Sequence, residues 1–97
     1  MAYDPGAIDA TLAAAVGDEP ALIAELREAF LESVKRGVDG LRASKGPQEW
    51  TAAALRLKGL AASFGAVRLM ALATEAANAT AGDSAVLRRL ERAVERL

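Results

Sequence analysis

Apolar residues in this chain recur at intervals of three and four, the period of a helix that buries one face. The clearest stripe runs through Ile23, Leu26, Phe30, Val34, Val38 and Leu41, and another through Val86, Leu87, Leu90, Val94 and Leu97. Capping residues, prolines and glycines place the ends of the elements. Asp4 and Pro5 open a short first helix through Ile8, Leu12 and Val16, which Gly17 closes. Asp18 caps the second and longest helix, which carries the first stripe. Gly37 and Gly40 fall inside it, each at a cost of about 1 kcal/mol relative to Ala, so a bend or an early end is expected there. After the break Ser44-Lys45-Gly46-Pro47, a third helix is predicted over about residues 47–64 with Gly65 closing it, and a fourth over about 66–80. Gly82 and Asp83 stop the fourth and cap the fifth. No strand-like alternation, internal repeat or low-complexity tract competes, and residues 1–4 read as a frayed end. Connections this short favour antiparallel neighbours. The expected fold is therefore all-α, an up-down four-helix bundle with the first helix as a lid.

On a wheel of 100° per residue, Trp50, Ala53, Leu57, Leu60, Ala61 and Phe64 of the third helix lie within roughly 60° of one direction. That is the expected core face. Leu55 and Gly59 point about 160° away from Leu57, with Ala52, Ala62 and Ala66 beside them and Arg56 and Lys58 on the two shoulders. The outer surface thus reads as one apolar knob among small residues. A lone exposed leucine needs no explanation by itself. A glycine in mid-helix is costly, however, and opposite the core face it marks a place for close approach by a partner.

Composition narrows the chemistry. The 97 residues suit one domain, 53% are hydrophobic and only 4% aromatic, so the core is drawn from Ala, Leu and Val. Twelve basic and thirteen acidic residues leave a net charge of -1 with no basic block, which argues against nucleic acid as a partner. Without cysteine there is no disulfide, thiolate nucleophile or Cys-based metal site, and the reading is a cytoplasmic protein with neither a signal sequence nor a membrane span. Histidine, the commonest general base, is also missing. Glu25, Glu28 and Glu32 interleaved with Arg27, Lys35 and Arg36 look like a solvated helix surface, as do Arg88, Arg89, Arg92 and Arg96 alternating with Glu91 and Glu95. Ser33, Ser44 and Ser63 have no histidine to activate them, no phosphate loop or calcium loop is present, and no cofactor is expected. An enzyme is not expected.

The run from Ala54 to Ala66, Ala-Leu-Arg-Leu-Lys-Gly-Leu-Ala-Ala-Ser-Phe-Gly-Ala, resembles the signature of histidine phosphotransfer (HPt) domains, in which Ala-His-x-Leu-Lys-Gly-Ser precedes small residues and Gly-Ala. Gly17-Asp18-Glu19-Pro20 with Phe30-Leu31 is similar to the family's second-helix opening, Trp50 stands where the third helix usually begins, and Arg68, Leu69 and Leu72 continue the fourth-helix pattern. The likeness spans about residues 8–97. Leu55 occupies the place of the phosphorylated histidine, Leu60 that of a frequent serine, and Ala76-Ala77 that of a frequent Leu-Glu. Leucine has no lone pair to attack an aspartyl phosphate, so the resemblance implies a docking surface without the chemistry. In the family, receivers sit against the second and third helices, the lysine after the histidine offsets phosphoryl charge, and the glycine admits the receiver's loops. Lys58 and Gly59 match those two residues. The implied function is a degenerate, monomeric HPt-like module of a two-component phosphorelay. It would bind a response-regulator receiver domain or a histidine kinase through Ala52, Leu55, Arg56, Lys58, Gly59, Ala62 and Ala66. A structural helical module that dimerises through the Leu55 surface remains the alternative.

Overall fold

The computed structural model describes residues 5–17 and 19–97, with side chains placed for 10–15, 17 and 19–97. Within these residues the chain forms five helices, α1 (Pro5–Val16), α2 (Pro20–Ala43), α3 (Pro47–Ser63), α4 (Val67–Asn78) and α5 (Ser84–Glu95), and no strand. Pro20 and Pro47 sit in the first turns of α2 and α3, where a missing N–H costs no hydrogen bond. Glu19 is the N-cap of α2; Asp4 and Asp18, and the side chains of Ile8 and Val16, lie outside the described residues. Asp83 caps α5 as its residue type dictates, its carboxylate accepting from the Ala85 and Val86 amides at 2.9 and 3.2 Å. The fourth helix is shorter at both ends than the sequence predicts.

α2 does not end early at its glycines. It continues through Gly37 and Gly40 to Ala43. The reason at Gly37 is packing: a Cβ there would stand 3.1 Å from Leu57 Cδ1, so the missing side chain lets α2 and α3 approach, and the gain in contact offsets the helical cost. At Gly40 a Cβ would meet nothing within 4 Å.

The buried stripes follow the predicted periods. Phe30, Val34, Val38 and Leu41 of α2 and Val86, Leu90 and Ala93 of α5 are buried, with Ile23, Leu26, Leu87, Val94 and Leu97 packed against that core. α3 packs against α2 and α4, α5 packs against α4 and α2, and α1 packs against α2 alone among the described residues. Two side chains tie the layers together. Trp50, at the start of α3, donates its indole N–H to the carbonyl of Ala76 near the end of α4 at 2.6 Å, so the largest core residue is buried with its polar group satisfied. Phe64 stacks on Phe30 with ring centroids 4.4 Å apart. The exposed charges of α5 pair across the surface, Arg89 with Glu75 at 2.8 Å and Glu91 with Arg42 at 3.1 Å. Among the described residues no helix is long and apolar enough to cross a membrane.

Candidate functional site

The outer face of α3 is set by what its inner face must bury. Trp50, Ala53, Ala54, Leu57 and Ala61 point into the core, which turns Leu55 outward to 52% exposure, one of two large apolar side chains left in solvent among the described residues. Ala52, Arg56, Gly59 and Ala62 are exposed around it, and Lys58 is half-buried on the shoulder opposite Arg56. Apart from its chain neighbours and the backbone of its own helix turns, no atom of the described residues lies within 4 Å of a Cβ built on Gly59. The glycine therefore serves no internal packing, and the surface there is flat enough for a partner's backbone to reach. One turn on, the Ser63 hydroxyl donates back to the Gly59 carbonyl at 2.9 Å. Toward the start of the helix a shallow depression is lined by Pro47, Gln48, Thr51, Ala52 and Leu55.

Ala66 does not belong to this face. Extending the wheel past Ser63 puts it beside Gly59, but the helix has already ended. Gly65 adopts φ +69°, its amide donates to the Ala62 carbonyl at 3.2 Å, and the Ala66 amide donates to Ala61 at 2.9 Å. That pair of bonds is a Schellman cap, which reverses the chain and turns Ala66 into the core at 0% exposure. Two other assignments shift. Leu60 and Phe64 are half-buried at the margin of the core face, and Ala54, which the wheel left unassigned, is fully buried.

Two features escaped the sequence reading. Val67, at the start of α4, is 65% exposed. A groove of roughly 260 Å³ runs between α2 and α3, floored by Gly37, Leu57 and Leu60 and walled by Arg36, Gly40 and Arg56. The signal for it was the pair Gly37 and Gly40, whose spacing reads equally as a break or as a site of close approach. Among the described residues, no group of three or more carboxylates is placed to hold a metal ion. No protein-family model, curated protein or solved structure matches the chain.

Proposed function

We propose that the chain is a degenerate HPt-like signalling domain, an up-down bundle of α2 to α5 with α1 packed on α2. It binds a receiver domain or a histidine kinase through the outer face of α3 and carries no phosphate. The observation that carries this reading is Leu55, half-exposed in the middle of an otherwise well-packed helix, with open space over Gly59 one turn away. The closed ring of helix contacts, α2 to α3 to α4 to α5 and back to α2, supports the bundle. A leucine at that position offers a partner roughly 1.5 to 3 kcal/mol on full burial and nothing that can be phosphorylated. The complex it favours does not turn over.

Titration of the purified domain against receiver domains and kinase cytoplasmic regions tests the reading. Saturable binding to at least one, lost in Leu55→Asp and in Gly59→Leu, is expected. Leu55→His restores an exposed imidazole with an ordinary pKa of about 6.5, so that variant is expected to accept phosphate from a phosphorylated receiver while the unmodified domain stays blank. A folded domain that binds none of them, with no transfer to Leu55→His, overturns the proposal in favour of a structural module.

A further inference from the structure

The groove between α2 and α3 is apolar at its floor and cationic at its rim. Leu57 and Leu60 floor it with Ala53 beside them, and on the α2 side Gly37 and Gly40 leave helix backbone open to an occupant. Arg36 and Arg56, both exposed, stand at the walls, and among the described residues no carboxylate lines the space. Arg56 joins no ion pair there. Arg36 makes only a 3.4 Å hydrogen bond to the Ser33 hydroxyl, and because Ser33 is itself part of the lining, that bond turns the guanidinium toward the groove. The other charges of the two helices are directed elsewhere. Glu25, Glu28, Glu32, Lys35 and Asp39 of α2 point roughly 90° to 170° away from the mean direction of Ser33, Gly37 and Gly40 at 100° per residue. Asp39 is paired with Arg42 at 2.9 Å. Glu49 is on the groove side of α3 but two turns before Arg56, and its carboxylate accepts from the Lys45 amide at 3.1 Å.

We infer that this groove is a binding site for a small aliphatic carboxylate, its chain laid on Leu57 and Leu60 and its head held between Arg36 and Arg56. A guanidinium presents two parallel N–H donors that match the two oxygens of a carboxylate, and here one stands on either side. The lining discriminates against other occupants. A cation would meet two arginines and no acid. A sugar would bring more hydroxyl groups than Ser33 and two arginines can satisfy, and a nucleobase would find no aromatic ring to stack on. The amides and carbonyls of α2 and α3 are taken up by the helices themselves, so an extended peptide would bury backbone groups without partners. A partner helix, about 10 Å across, is too wide for the space. At roughly 260 Å³ the groove falls just below the about 300 Å³ at which pockets for drug-sized ligands begin, so a single short chain is what fits. Leu55 lies about 100° further round α3 than Arg56, away from the groove, so this site is independent of the receiver-docking face proposed above.

Titration of the full chain with sodium octanoate, followed by amide chemical shifts, tests the inference. Shifts that saturate by about 5 mM and centre on Gly37, Gly40, Arg56 and Leu60 are expected. Octylammonium, with the same chain and the opposite charge, is expected to bind at least about tenfold more weakly, and acetate, with the head and no chain, to give no saturable shift. Arg36→Gln and Arg56→Gln remove only exposed side chains, so each is expected to keep the spectrum of the folded protein and to weaken octanoate at least about fivefold. Gly40→Leu fills the groove from a position with open space and is expected to abolish binding, whereas Leu55→Asp leaves it intact. The inference is overturned by octanoate that gives no saturable shift by about 5 mM. It is equally overturned by octylammonium that binds as well as octanoate, by binding that survives both arginine substitutions, or by shifts that centre on Leu55 and Val67 and vanish in Leu55→Asp.

Discussion

Leu55 and Leu57 are two residues apart and differ in almost everything that decides the cost of a substitution. Leu57 is 1% exposed between α2 and α3, and Leu55 is 52% exposed. Leu57→Ala leaves a cavity where Gly37 and the core have closed around it, and is expected to cost about 2 to 5 kcal/mol. Leu55→Ala is expected to stay within about 0.5 kcal/mol. Urea melts check both, and comparable losses would mean that the faces of α3 are reversed. The mid-helix glycines separate by the same logic. Gly40 and Gly59 have open space where a Cβ would stand, so Gly40→Ala and Gly59→Ala are each expected to stabilise the fold by about 0.5 to 1 kcal/mol. Gly37→Ala is expected to gain nothing or lose, because Leu57 must move to admit the methyl group. A destabilised Gly59→Ala would reveal an internal role that the geometry denies.

At the scale of the element, the period of the apolar residues was enough to place α2, α3 and α5 and to turn Leu55 outward, because one buried face per helix is what packing against a shared core demands. What the wheel missed depends on neighbours. α3 packs against two helices, so its buried arc is wider than a single stripe and takes in Ala54. Ala66 was misplaced because a wheel assumes an unbroken helix, and the Gly65 cap ends it three residues early. The groove between α2 and α3 was illegible for a related reason: a glycine's helical cost is written in the sequence, but the leucine that repays it is twenty residues away. Trp50 shows how the elements are joined. Its bond to the Ala76 carbonyl is buried, although that carbonyl also accepts from the Ala79 amide at 3.1 Å. Trp50→Phe therefore removes one hydrogen bond and part of a ring without orphaning the acceptor. A loss of about 1 to 3 kcal/mol is expected in chemical denaturation. A neutral result would mean that the indole N–H contributes nothing to the contact between α3 and α4.

For the whole molecule, the arrangement of contacts is more telling than their sum. Each of α2, α3, α4 and α5 packs against two others of that set, whereas α1 packs only against α2 among the described residues. Opening any one of the four breaks at least two interfaces; lifting α1 breaks one, anchored by Leu12 at 3% exposure. Local opening has the lowest free energy where the fewest buried apolar contacts must be given up. Amide hydrogen exchange should therefore find α1 exchanging well before α3 and α4, through an opening that leaves the ring closed. Leu12→Ala sharpens the test. It is expected to abolish most protection in α1 while leaving the slow amides of α3, and with them the Leu55 face, as they were. If α3 loses protection in step with α1, the chain unfolds as one unit and α1 is part of its core. If α1 alone responds, the proposed docking face rests on a scaffold that needs only α2 to α5, and the binding proposed for Leu55 should survive the change.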